Sequence, residues 1–196
     1  MTQTTQITQA NNLNFEYNDY NRKKKYNQIY IFTLDELKFL NYTELRLYSV
    51  IRTLCNGNNY INIKVKDLSV LANMKPDLCG KILKNLIEKE MIVRKNKEII
   101  LAPSMLTLDQ IVENGKFLFW SPEDLKYNLN YREFKIFCIL RNYSSSFGYA
   151  LIKPQNIAEL LGDYYSNVCS NLKSLTEKKL IRIEKFGYQT RYYVMD

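Results

Sequence analysis

The feature that most constrains this chain is that it repeats itself. Shifted by 89 positions, residues 40–93 lie on residues 129–182 without a gap, and Leu40, Asn41, Tyr42, Glu44, Arg52, Lys84, Leu86, Glu88, Lys89 and Ile92 all meet the same residue. Other pairs keep only their character, as in Leu45/Phe134, Leu47/Ile136, Tyr48/Phe137 and Leu68/Ile157. One change of register extends the match upstream, where Thr33-Leu34-Asp35-Glu36-Leu37-Lys38 faces Ser121-Pro122-Glu123-Asp124-Leu125-Lys126. A period this long points to a duplicated domain rather than a solenoid repeat. Each copy is small, so each core is modest.

Local signals divide each copy in the same way. The apolar run Ile29–Phe32 predicts a short strand, and Thr33-Leu34-Asp35-Glu36 has the spacing of a capping box. Leu47, Val50, Ile51 and Leu54 recur at helical spacing and predict a helix over Thr43–Leu54. Asn56-Gly57-Asn58-Asn59 ends it, and Tyr60–Ile63 alternates like a strand. A second helix is expected over Asp67–Ala72, and a third from Pro76, suited to a first turn, to about Glu90. Ile92–Leu101 reads as a hairpin with a polar tip at Lys95-Asn96-Lys97. The second copy predicts helices over Arg132–Tyr143, Gln155–Leu161 and Tyr165–Lys179, a strand near Tyr149–Ile152, and a hairpin over Ile181–Met195 turning at Phe186-Gly187-Tyr188. Between the copies, Leu106, Leu108, Ile111 and Val112 suggest a short helix within residues 103–115, with a plain linker as the alternative.

The expected organisation is therefore an arm over residues 1–27, a domain over 28–102, the connector 103–115 and a second domain over 116–196. The arm is rich in Thr, Gln and Asn, buries too little apolar surface to order itself, and ends in Asn21-Arg22-Lys23-Lys24-Lys25. Such a basic end can track phosphates or a minor groove, or it can be a solvated charge run.

Composition removes whole classes of chemistry. With no histidine, the Ser-His-Asp and Cys-His systems and the histidine-metal nicking centres are excluded. The four cysteines, Cys55, Cys79, Cys138 and Cys169, form no CxxC pair, and their repeat counterparts mark them as small packing residues. Neither a GxxxxGK[ST] loop nor a GxGxxG is present. No enzymatic activity, cofactor, metal or small-molecule substrate is expected. No apolar run is long enough for a bilayer, which leaves a cytoplasmic protein without membrane contact as the expectation. The formal charge of +8 is concentrated in residues 1–102, with 16 basic against 10 acidic side chains. That excess favours a polyanion such as nucleic acid, although lysine for solubility gives the same composition.

The order helix, strand, helix, turn, helix, hairpin resembles the winged helix-turn-helix family. The similarity is most specific where Leu86-Ile87-Glu88-Lys89-Glu90-Met91-Ile92 and Leu175-Thr176-Glu177-Lys178-Lys179-Leu180-Ile181 match that family's Leu-Glu-x-x-Gly-Leu-Ile ending. Glu90 and Lys179 stand where the glycine is usual, so a different turn into the wing is expected. The resemblance covers most of residues 29–195 and implies an α+β, mostly α, fold of two tandem winged-helix domains. It implies double-stranded DNA as the partner, with the third helix in the major groove and the wing along the backbone or minor groove.

In the third helix of the first copy, Cys79, Ile82, Leu83 and Leu86 are expected inward and Asp77, Lys81, Lys84 and Asn85 outward. The second copy places Val168, Leu172 and Leu175 inward, with Ser166, Asn167, Ser170, Asn171, Lys173 and Ser174 outward. Ser and Asn can donate and accept toward base edges, and Lys can reach phosphate or guanine. The wings add Arg94, Lys95 and Lys97 in the first copy and Lys185, Tyr188, Gln189 and Arg191 in the second. A merely solvated surface is the competing reading at each position. The 16 tyrosines fall mostly in or beside the core pattern, not on a platform for single strands. The repeated Arg52/Arg141 and Glu44/Glu133 suggest a structural ion pair within each copy.

Two unlike winged helices, a polar arm and no catalytic residues resemble the replication initiators of plasmids and phages. These bind iterated origin repeats, and some dimerise, so the chain itself and replication proteins are further partners implied. A transcriptional regulator, or a conjugation or partition accessory protein, would carry the same residues. Tandem winged-helix proteins of the condensin accessory type, which grip proteins, tend to be acidic, unlike this chain.

Overall fold

The computed structural model describes residues 29–55, 59–114, 117–144 and 148–195. The arm over 1–27 and parts of both loops after the first helices, residues 56–58 and 145–147, lie outside the described residues. The fold mixes helices with small antiparallel sheets. It divides into two compact units, one up to Pro122 and one from Glu123 onward.

The first unit opens with β1 (Tyr30–Phe32), α1 (Leu34–Phe39) and α2 (Tyr42–Leu54). Thr33 caps α1 in the expected capping box, and Asn41 with Glu44 forms a second box on α2. These boxes satisfy backbone N–H groups that a helix start otherwise leaves unpaired. β2 (Tyr60–Asn62), α3 (Val65–Leu71), α4 (Pro76–Glu88), β3 (Ile92–Lys95) and β4 (Glu98–Leu101) follow, and the sheet order is β2-β4-β3. Leu45, Leu47, Tyr48, Val50 and Ile51 of α2 pack in a core shared with Leu68, Cys79, Ile82, Leu83, Leu86 and Ile99, all buried.

α5 (Leu108–Asn114) and β5 (Leu118–Trp120) complete this unit. The connector is thus a helix, opened by reciprocal Thr107–Gln110 bonds, and Ile111 packs on Ile31. β5 pairs with β1, and the Trp120 indole donates to Ser49 Oγ at 2.8 Å. The first compact unit thus runs through β5 to Pro122. Pairing across 90 residues leaves no local signal, so β5 could not be assigned to its partner from the sequence.

The second unit takes in all but the first residue of a 3-10 helix (Pro122–Tyr127), then α6 (Tyr131–Ser144), α7 (Pro154–Leu161), α8 (Tyr165–Glu177), β6 (Ile181–Phe186) and β7 (Gln189–Val194). The strand expected near Tyr149–Ile152 is reduced to one bridge, Ala150 to Tyr192. The neighbouring Tyr149 ring stacks on Tyr193 at 5.7 Å.

Both α4 and α8 end in the same tight turn. Glu90 N–H donates to Ile87 O and Met91 N–H to Leu86 O; Lys179 N–H donates to Thr176 O and Leu180 N–H to Leu175 O. This double bond is the Schellman motif, which places its residue in the left-handed region. Glu90 has φ 55° and Lys179 φ 59°. The expected departure from the glycine turn is not seen. The two side chains tolerate the left-handed backbone, at a cost of about 1 kcal/mol each. Two further left-handed pairs stand at the same 89-residue spacing, Asn59 with Gly148 and Asn73 with Gly162.

Candidate nucleic-acid interface

A buried glutamate fixes the third helix of each unit to the first. Glu44 of α2 accepts Lys89 Nζ at 2.6 Å and Asn85 Nδ2 at 3.4 Å, besides the Asn41 backbone N–H at 3.0 Å. Glu133 of α6 accepts Lys178 Nζ at 2.7 Å, Ser174 Oγ at 2.6 Å and the Asn130 N–H at 2.7 Å. Burial pushes both carboxyls up, yet these donors hold them below the usual carboxylate range, chiefly through Lys89 and through Lys178 with Ser174.

A second ion pair ties each first helix to the segment before it. Arg52 donates both terminal nitrogens to Glu36, and one to Tyr48 Oη at 2.9 Å. Arg141 donates to both Asp124 oxygens at 2.7 and 2.9 Å. An ion pair within each unit is therefore present, but Arg52 and Glu44 belong to different pairs. Their cation-over-ring contacts repeat too, Arg52 on Tyr48 and Arg141 on Phe137.

The turn between α3 and α4 is held from α2. Arg46 donates to the carbonyls of Ala72 and Asn73, while its guanidinium lies over Tyr42 and Trp120. At the same spacing, Lys135 lies over Tyr131. In the second unit Arg132 pairs with Asp163 at 3.3 Å. Asp163 is held low by the Asn167 side chain first, and then by the Tyr164 N–H and the nearby cations.

These anchors leave one face of α4 outward. Cys79, Ile82, Leu83 and Leu86 are buried, while Asp77, Lys81, Lys84 and Asn85 are exposed, as are Arg94, Lys95 and Lys97 on the β3–β4 hairpin. Among the described residues none of these five cations is in an ion pair. Asn85 is the exception on this face, because its amide turns back to Glu44.

On α8, Val168, Leu172 and Leu175 are buried and Ser166, Ser170 and Lys173 are exposed. Lys173 stands 3.8 Å from Glu177, a spacing of little energetic weight at the surface. The other three expected contacts are committed within the protein. Asn167 donates to Asp163 and Asn171 to the Asn167 carbonyl, each at 2.7 Å, and Ser174 serves Glu133. Asn85 and Ser174 share one repeat position, so their common role is anchorage. Their type alone could not reveal this, because the acceptor lies 41 residues upstream.

On the β6–β7 hairpin Lys185, Tyr188 and Gln189 are exposed. Arg191 is half-buried and sandwiched between Tyr149 and Phe186, at 4.6 and 4.4 Å from their rings. Phe186 on this hairpin and Tyr164 and Tyr165 at the start of α8 are exposed aromatics that helical and strand patterning passed over. Cys55, Cys79 and Cys138 are buried and Cys169 half-buried, all as free thiols. Burial pushes Cys55 up to about 12 and Cys79 to about 11, which suits packing rather than reactivity.

No protein-family model matches the sequence, and no curated protein matches it. Among solved structures the chain is similar to the DIP2311 protein from Corynebacterium diphtheriae, at 9% identity over 77% of this chain, with a TM-score of 0.27. The chain spans 26% of that protein's length, and a likeness of this degree carries no conclusion. Among the described residues, no helix is long and apolar enough to cross a membrane.

Proposed function

We propose that this protein binds double-stranded DNA with sequence specificity through two winged helix-turn-helix units that arose by duplication, and that it serves as an origin-binding replication initiator. The observation that carries the reading is the outward face of α4 beside the β3–β4 wing. Lys81 and Lys84 stand exposed on a helix whose other face is fully buried. Arg94, Lys95 and Lys97 extend the cationic surface along the hairpin. Lysines outside ion pairs can neutralise phosphates and release counterions, and a helix with one free face fits a major groove. The repeated anchors Glu44–Lys89 and Glu133–Lys178 support the duplication.

Two units with unlike outer faces favour a DNA site of two unlike halves. α4 offers lysine, whereas α8 offers Ser166 and Ser170, which can donate to and accept from base edges. Origin binding follows from resemblance in architecture and charge, and it is the finer part of the proposal.

The test is selection from random duplex DNA by the full chain, followed by sequencing of the bound pool. An enriched motif is expected, and no enrichment would overturn sequence-specific binding. Enriched sequences found as direct repeats would support an initiator, whereas single sites overlapping promoters would replace it by a regulator. On the enriched duplex, Lys81→Ala and Lys84→Ala should each lower the salt dependence by about one unit of slope while leaving the melting temperature nearly unchanged. Leu83→Ala, by contrast, should cost roughly 2–5 kcal/mol of stability.

A further inference from the structure

The two wings share a turn and differ in what it presents. Each hairpin closes over two residues, Asn96-Lys97 between Lys95 and Glu98, and Gly187-Tyr188 between Phe186 and Gln189. The first turn residue is left-handed in both, with φ 56° at Asn96 and 59° at Gly187. The first tip is Lys-Asn-Lys; the second is Phe-Gly-Tyr. On the second, Phe186 is 65% exposed and Tyr188 is 110% exposed, the most open large hydrophobic side chain among the described residues. Aromatic rings left this open at the end of a hairpin bury little of their apolar surface in the fold that bears them.

One of these rings is also held in place. Along one face of β6–β7, Phe186 lies on the Arg191 guanidinium at 4.4 Å, which lies on Tyr149 at 4.6 Å. Tyr149 packs on Tyr193 at 5.7 Å, and Arg182 covers Tyr193 at 4.4 Å. Arg191 Nε has no hydrogen-bond partner among the described residues. Its cross-strand neighbour Glu184 is bonded to Arg182 instead. Ring contacts on both sides thus help to place the Arg191 cation beneath Phe186, and among the described residues no carboxylate is paired with it. The inner rings of the ladder, Tyr149 and Tyr193, are half-buried, whereas the two rings at the tip are exposed.

Resting on the DNA-binding reading above, we infer that the second wing is an aromatic wedge: Phe186 and Tyr188 enter the minor groove and part a base step, while the first wing grips phosphates. Apolar side chains inserted from the minor groove unstack bases and kink the duplex by about 20–90°. The Arg191 cation below the ring matches the negative potential of a narrow minor groove. A stacking platform for single strands would need successive open rings, and here the inner ones are half-buried against their neighbours.

The test uses the full chain and the duplex enriched in the selection, with 2-aminopurine at successive positions and fluorophores at both ends. The parent is expected to brighten 2-aminopurine at one step and to bring the ends closer. Phe186→Ala/Tyr188→Ala should bind within roughly tenfold of the parent, since phosphate contacts supply most of the affinity, but without brightening or bending. Phe186→Lys/Tyr188→Lys, which gives the second tip the chemistry of the first, should behave likewise. Unchanged circular dichroism melting would confirm that both variants fold. A parent that binds the duplex but leaves it straight and stacked overturns the wedge alone, as does an alanine variant that still unstacks it. A parent that prefers single-stranded oligonucleotides through these two rings also overturns the wedge. A parent that binds no duplex at all removes the DNA-binding reading and the wedge with it.

Discussion

Replacing Arg52 by methionine tests whether the first unit is organised around a buried charge. The Arg52 side chain is 0% exposed and forms a forked pair with Glu36, whose side chain is 11% exposed. Its other partner is Tyr48 Oη at 2.9 Å, a phenol that burial raises to about 12. Methionine fills much of the volume but leaves the Glu36 carboxylate desolvated, with the Thr33 N–H at 2.8 Å as a remaining donor. Breaking a buried pair from one side costs about 3–5 kcal/mol. With roughly 2 kcal/mol per molar urea for a domain of this size, the midpoint should fall by about 2 M. Trp120, the single tryptophan of the chain, is buried in the same unit, so its fluorescence follows this transition. The double variant Glu36→Leu/Arg52→Met should recover most of the loss, because an apolar pair of similar volume replaces a buried ion pair at little cost. A loss below about 1 kcal/mol for Arg52→Met, or a double variant no better than the single one, would refute the argument.

Glu44 and Glu133 are held below their ordinary carboxylate value, so their contribution to stability is full above pH 4.5 and is lost as pH falls through the folded value. Glu133→Gln should therefore flatten the acid limb of a pH–stability curve below about pH 4.5 and lower the plateau at neutral pH, measured by urea melts across pH. Gly80 lies in the middle of α4, and a methyl group there would meet nothing within 4 Å. Gly80→Ala should raise stability by roughly 0.5–1 kcal/mol through the unfolded chain, seen as a higher thermal midpoint. At the left-handed Lys179, Lys179→Gly should gain up to about 1 kcal/mol, whereas Lys179→Ala should give no such gain in the same melt.

Most of the helices were legible because their apolar spacing is local. Cys79, Ile82, Leu83 and Leu86 repeat at 3–4 residues, and all are buried. The capping boxes at Thr33 and Thr107 are likewise written within four residues. Most of what the sequence hid is non-local. Nothing near Leu118–Trp120 marks Tyr30–Phe32 as its partner. Asn85 and Ser174 look like base readers by residue type, but a buried carboxylate 41 residues upstream reaches each first. Asn167 and Asn171 look the same by type, and are engaged four residues back by Asp163 and by the Asn167 backbone carbonyl. The repeat held the missing clue for one pair, since Asn85 and Ser174 occupy one position and both sit four residues before an identical lysine.

Between the units, buried positions mostly keep their apolar character, as in Leu45/Phe134 and Leu47/Ile136, whereas many exposed positions change theirs. Glu44, Lys89 and Arg52 recur as Glu133, Lys178 and Arg141, and each of the six is in an ion pair. Breaking the buried Arg52–Glu36 or Arg141–Asp124 pair costs several kcal/mol, out of a net stability of about 5–15 kcal/mol, and losing Lys89 or Lys178 takes the cation from a buried glutamate, so little change is tolerated there. Lys81 against Ser170, or the Lys-Asn-Lys tip against Phe-Gly-Tyr, are exchanges between exposed positions, where substitutions usually shift stability by less than about 0.5 kcal/mol. Beyond the Phe186–Arg191 contact, stability therefore gives little reason for one tip to be cationic and the other aromatic. On the proposed reading, the difference comes from DNA: one scaffold used twice, first to hold the backbone and then to deform the helix.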